Sequence, residues 1–133
     1  MKFLLDTDTC IYTLKQHETV LRKLLSTDRD EVAISVVTEA ELRTGAAKSS
    51  SPSKTLQSVE AFLGQMTIVD FTSEDAIAYA QIRAKLERAG TPIGPLDTMI
   101  AAHAVARNLT LVSNNEREFR RVTGLRVENW ARH

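Results

Sequence analysis

A single cysteine, Cys10, stands among the 133 residues, so no intramolecular disulfide can form and no Cys/His cluster can build a structural zinc site. A reducing, cytoplasmic location is the expectation that follows. Long apolar runs are missing too. The opening Met-Lys-Phe-Leu-Leu turns acidic at Asp6, short of the roughly 7–15 apolar residues of a signal peptide, and nothing approaches transmembrane length. A soluble protein with no membrane partner is expected. There is no glycine-rich phosphate loop and no support for Ser/His/Asp catalysis. Charge of one sign is also lacking: 17 Lys plus Arg balance 17 Asp plus Glu, which argues against binding nucleic acid by bulk charge alone. A local site remains open.

What is present is 43% hydrophobic residues in a chain of one-domain length, so residues 1–133 read as a single domain that buries roughly two-thirds of its unfolded surface. Residues 2–5 form an apolar run that stops at Asp6-Thr7-Asp8-Thr9, which reads as strand, turn and helix. A helix follows over about 18–26, and Val32-Ala-Ile-Ser-Val-Val is the next strand. Thr38 then starts a helix running past Ala46. The only low-complexity stretch, 49–53, is too short for a domain linker, and Pro52 stands at the first turn of a helix over about 53–65.

Thr67-Ile-Val-Asp-Phe71 reads as a strand. Ser73-Glu-Asp begins a helix that carries Ala76, Ile77, Ala80, Ile82, Ala84 and Leu86 on one side and ends at Gly90. After a loop come an apolar helix from about Leu96 to Arg107, a strand over 109–112, a short helix near 116–121 and a last strand near 125–128. The order predicts an α/β fold, a mostly parallel central sheet of about five short strands between helical layers. Such sheets place ligands at the carboxyl ends of their strands.

Acids gather at those ends. Asp6 and Asp8 follow the first strand, where Asp is also a favoured helix N-cap; the two roles coexist. Glu41 lies three residues after Thr38, the spacing of a capping box, with Glu39 as the alternative carboxylate on a solvated face. Asp97 opens an otherwise apolar helix, where the helix dipole favours it but burial demands a partner. Beyond the fourth strand, Ser113 and Glu116 also match a capping box, while Asn115 and Glu118 can face the crevice. At separations near 5 Å and an effective dielectric of 20, each pair of ionised carboxylates repels by about 3 kcal/mol. A hard cation with oxygen ligands, Mg2+ or Mn2+, offsets that repulsion and suits phosphodiester chemistry. Setting aside Asp6, Asp8, Glu41, Asp97 and Glu118 leaves 12 acidic against 17 basic residues, an acidic hole in a basic surface. His17, His103 and His133 are too scattered for a metal site, and Cys10 reads as a small core residue.

The strings "LLDTDTCIY", "ISVVTEAELRTGAAKS", "IGPLDTMIAAHA" and "LTLVSNNEREFRRVTGLRVENW", in that order across essentially the whole chain, resemble the VapC toxins of bacterial type II toxin-antitoxin modules, which are small PIN-domain ribonucleases. The resemblance implies a three-layer PIN-like domain. It assigns the best-matched acidic positions to Asp6, Glu41 and Asp97, and a fourth to Glu118, an acid followed by Phe. Asn115 matches a polar position near the metal, whereas Asp8 stands where the family usually has Asn. Asp6 and Asp97 would be the principal Mg2+ ligands, with Mn2+ a substitute, and Thr7 and Ser113 would orient the carboxylates.

The implied reaction is metal-dependent endonucleolytic hydrolysis of structured RNA leaving 5'-phosphate and 3'-hydroxyl ends, with translation inhibited as the outcome. The first expected substrate is the anticodon stem-loop of initiator tRNA; ribosomal RNA is the second. Phosphate contacts are expected from Lys15, Arg83, Lys85, Arg117 and Arg120, which otherwise read as solvated helix faces. The resemblance further implies a cognate VapB antitoxin across the active-site groove, operator DNA bound through that antitoxin, and a toxin homodimer, with Ile11, Tyr12, Leu14 and Leu42 serving core or interface. A rival reading is a phospho-receiver signalling domain with Asp70 as the phosphate acceptor. It leaves Glu41 and Asp97 unexplained.

Overall fold

The short apolar runs become five strands, β1 (Phe3–Leu5), β2 (Val32–Ser35), β3 (Thr67–Val69), β4 (Thr110–Val112) and β5 (Val127–Glu128). They form one sheet in the order β3-β2-β1-β4-β5, every neighbouring pair parallel. The structure is a computed structural model and describes residues 1–132; His133 lies outside the described residues. Helices α1 (Thr7–Leu14), α2 (Glu18–Leu25), α3 (Val36–Ala47), α4 (Pro52–Leu63), α5 (Ser73–Arg88), α6 (Pro95–Ala106) and α7 (Glu116–Phe119) make up the connections. None of the described helices is long and apolar enough to cross a membrane.

Because successive strand residues face opposite ways, β1 sends Phe3 and Leu5 to one face and Leu4 to the other, and each face has its own core. On the first face Phe3, Leu5, Ile34 and Cys10 pack with Val20 of α2, Leu42 of α3 and Val59 of α4. On the second, Leu4, Ala33 and Leu111 pack with Leu86 of α5, Ile100 of α6 and Phe119 of α7. The result is the expected three-layer α/β sandwich. Trp130 closes the first core edge-to-face on Phe3, with ring centroids 5.2 Å apart. Cys10 is fully buried, and Leu42 is buried while Ile11, Tyr12 and Leu14 pack half-buried against the same core.

Two expectations need correction. The second strand stops at Ser35 rather than running to Val37, and α3 starts at Val36 instead of Thr38. The Ser35 hydroxyl accepts the Val37 N–H at 2.9 Å, and this cap turns two β-branched residues into a helix's first turn against their strand preference. Along α5, Ala76, Ile77 and Ala80 face solvent, with Ile77 61% exposed; the buried positions are Asp75, Ala78 and Leu86. The buried stripe thus starts on an acid, which a search for apolar periodicity passes over.

The chain adds β2 and then β3 on one side of β1, and crosses back through α5 and α6 to add β4 on the other. The sequence of additions therefore reverses between β1 and β4. At such a switch point the connections leave in opposite directions and a crevice opens at the strand ends.

Candidate active site

Asp6 and Ser113 stand side by side there, each the first residue after one of the two strands at the switch. The Asp6 N–H donates to Val112 O at 3.0 Å, which fixes the backbone, and Asp6 Oδ1 accepts the Thr9 N–H at 2.8 Å as the N-cap of α1. Thr9 Oγ1 donates across to Val112 O at 3.0 Å. With 3% of its surface exposed, Asp6 has its carboxyl pushed up to about 6 by burial; hydrogen bonds from Ser113 and Thr9 oppose the rise and the charge of Asp8 adds to it. Capping and site placement coexist at this residue.

Asp97 sits half-buried in the first turn of α6, beyond the same strand ends. Its carboxyl is also pushed up to about 6, by burial first and then by the charges of Glu41, Glu118, Asp6 and Asp8 in that order. Five acids brought in by α1, α3, α6 and α7 therefore share one electrostatic neighbourhood. Glu41 is not a capping-box acid, because α3 begins three residues earlier than the box requires. Its Oε1 instead accepts the Thr7 hydroxyl at 2.6 Å, and that hydroxyl lies 3.2 Å from Thr38 Oγ1. Glu118 Oε2 accepts from Asn115 Nδ2 at 2.9 Å. Asp8 is exposed at the edge of the group.

Ser113 and Glu116 do not form the expected capping box either. Ser113 Oγ accepts the Asn115 N–H at 2.8 Å, which turns the chain toward α7, while Glu116 pairs with Arg120 at 2.9 Å and with Arg132. Glu39 is held by Arg43 at 2.8 Å. The contribution of Thr38 was missed by sequence reasoning, which treated it as a cap; its place one turn before Glu41 was the available signal.

The five basic candidates are all exposed. Arg83 is tied to Glu87 at 2.8 Å and Arg120 to Glu116, so each has its charge partly answered. Among the described residues Lys15, Lys85 and Arg117 enter no ion pair. Asp70 does not join the acids: β3 lies at the sheet edge with β2 between it and β1, and Asp70 is exposed, its carbonyl occupied by His103 and Arg107. A receiver needs its acceptor beside the first-strand acids, so the structure overturns that reading.

Carboxylates with an amide and hydroxyls at their margin are the oxygen donors a hard divalent cation takes, and the repulsion that adds to the effect of burial on Asp97 is what such a charge would cancel. As the side chains stand, no three acidic, histidine or cysteine groups among the described residues converge to hold an ion. Glu41 is turned to Thr7 and Glu118 to Asn115.

A family model described as PIN domain matches residues 3–125. The tRNA(fMet)-specific endonuclease VapC of Salmonella typhimurium is 45% identical over 130 residues, covering 98% of both chains. The ribonuclease VapC2 of Haemophilus influenzae is 40% identical over 130 residues, again covering 98% of each. Among solved structures, DNA-bound VapBC from Salmonella typhimurium superposes with a TM-score of 0.93 at 45% identity over 98% of each chain.

Proposed function

The chain belongs to the PIN-domain family as a VapC ribonuclease of a toxin-antitoxin system, and from that premise we propose that it cleaves initiator tRNA in the anticodon stem-loop using Mg2+ held by Asp6, Glu41, Asp97 and Glu118. The observation that carries the proposal is Asp97, whose carboxyl is raised by burial and then by the charges of four other acids at the strand-end crevice. A divalent ion bound there, Mg2+ or Mn2+ in its place, supplies Lewis-acid stabilisation of the phosphate and acidifies water.

The protein's own groups do the rest. Thr9 N–H and Ser113 fix Asp6 at the crevice, while Thr7 holds Glu41 and Asn115 holds Glu118 at its margin. Loading requires the long side chains of Glu41 and Glu118 to turn inward. Asp8 and Asn115 border the group and add outer contacts. Lys15, Lys85 and Arg117 offer unpaired charge to RNA phosphates, with Arg83 and Arg120 as weaker contributors.

The partner is a VapB antitoxin, as in the DNA-bound VapBC complex of Salmonella typhimurium, and through that antitoxin the pair would reach operator DNA. A homodimer of this chain is the assembly we expect to present the RNA surface. The test is incubation with total tRNA and, separately, with ribosomes in Mg2+, beside an Asp6→Ala variant and an EDTA control, with cleavage ends mapped. Discrete cuts in initiator tRNA that vanish in both controls are the expected result. Cuts confined to ribosomal RNA would overturn the substrate, and the absence of any cut would overturn the activity.

A further inference from the structure

One buried titratable group has no part in the site described above. His103, on α6, is fully buried, and all of its polar atoms are engaged. Nδ1 lies 2.9 Å from Ser35 Oγ, and Nε2 lies 2.7 Å from Asp70 O and 3.3 Å from Asp75 Oδ2. The ring packs edge-to-face on Phe71, with centroids 5.3 Å apart. Asp75 Oδ2 also accepts from Thr72 N at 2.7 Å, Thr72 Oγ1 at 3.0 Å and Arg107 at 3.1 Å.

These distances admit one arrangement of protons. Nε2 faces only acceptors, a carbonyl and a carboxylate, so it carries the hydrogen. Nδ1 then accepts from the Ser35 hydroxyl, whose oxygen accepts the Val37 N–H. Adding a proton at Nδ1 would leave the Ser35 hydrogen without an acceptor. Burial lowers the pKa of His103, which fits the neutral ring.

The tie matters because of what its ends hold. Ser35 caps α3, which carries Glu41 six residues on; His103 is itself six residues beyond Asp97 on α6. We propose that His103 is a positioning residue, whose bond to Ser35 sets the separation of Glu41 and Asp97 by fastening the start of α3 to the last turn of α6. The proposal rests on the reading of those acids as a divalent-cation site. It is more than core filling, since an apolar residue of similar volume would fill the space without fixing a helix start. Asp75 and Arg107 hold the other edge of the ring and keep its donor facing away from Ser35.

The test splits the ring into its two halves. In His103→Asn the side-chain oxygen can still accept from Ser35, and the Asp70 arm is lost. In His103→Gln the amide can still donate to Asp70, and the Ser35 bond is lost. Mn2+ affinity is measured by electron paramagnetic resonance on the metal-free protein, together with melting temperature, with Ile100→Val as a destabilised control on the same helix. The Gln variant should bind Mn2+ about tenfold more weakly. The Asn variant and Ile100→Val should stay within about threefold of wild type.

Imidazole 15N shifts of the metal-free wild type at pH 7.5 should show a neutral ring with hydrogen on Nε2. Equal losses in Asn and Gln, losses that follow melting temperature across all three variants, or hydrogen on Nδ1 would each overturn the proposal. If the Gln variant does not fold, Ser35→Ala, which keeps the ring and its Asp70 bond, takes its place with the same expectation. Failure of wild type to bind Mn2+ would remove the reading of the acids and this proposal together. Wild-type binding lost in Asp97→Asn but untouched by the His103 and Ser35 variants would remove this proposal alone.

Discussion

Asp97 answers two opposed demands. Its raised carboxyl means that the folded chain holds a proton there more tightly than the unfolded chain does, so the metal-free fold loses stability as pH climbs from about 4 through 6. A rise of this size bounds the loss at about 3 kcal/mol, and screening at a half-buried position reduces it to about 1–2 kcal/mol. Asp97→Asn should therefore raise the melting temperature of the metal-free protein at pH 7 by about 4 °C, while abolishing cleavage. Calorimetry at pH 5 should find the gain much smaller. His103, buried and neutral, acts in the opposite direction over the same pH range, but it is present in both proteins and drops out of the difference. A variant less stable than wild type at pH 7 would refute the argument. Asp6 and Asp97 were legible as residues because Asp6 closes an apolar strand and Asp97 opens an apolar helix. Asp75 was not, since the Arg107 that lets it be buried lies 32 residues away.

At the scale of elements, sequence spacing misled where a nearby side chain outvoted it. Thr38 and Glu41 have the spacing of a capping box, yet Ser35 captures the helix start first, and the same glutamate becomes free to meet Thr7. The presence of each strand was easy to read, because β-branched and leucine runs bounded by polar turns have few alternatives, but β2 and β3 each end two residues before their expected limits at Val37 and Phe71. The face of α5 was harder: its buried stripe begins with Asp75, held by Thr72 in a reciprocal cap. Thr72→Ala removes one side of that cap and should cost about 1 kcal/mol, lowering the melting temperature by about 3–5 °C. Cleavage by the folded fraction should be unchanged, since Thr72 lies at β3's end of the sheet, away from the acids. A cleavage defect larger than the folded fraction explains would contradict this.

For the whole molecule, balanced charge conceals an uneven distribution. With five acids drawn into one crevice, the rest of the chain carries 17 basic against 12 acidic residues, one of which, Asp75, is buried. Association with RNA should therefore weaken with salt although the protein is neutral in total. Arg117, exposed on α7 and in no ion pair among the described residues, should contribute a full contact: Arg117→Ala should lower the log–log salt slope by about 0.7. Arg83→Ala should change it less, because Glu87 already answers that charge. Fluorescence anisotropy with labelled tRNA in EDTA measures both, and equal slopes for the two variants would count against the assignment.

The bond between Thr9 and Val112 spans 103 positions, so the crevice is built from opposite ends of the polypeptide. A ribosome making this chain completes Asp6 and Glu41 long before it reaches β4, and until then Asp6 has neither the Val112 carbonyl nor Ser113 beside it. A chain that stops short of β4 lacks both supports of Asp6, so truncation ahead of Thr110 should leave translation in its host untouched.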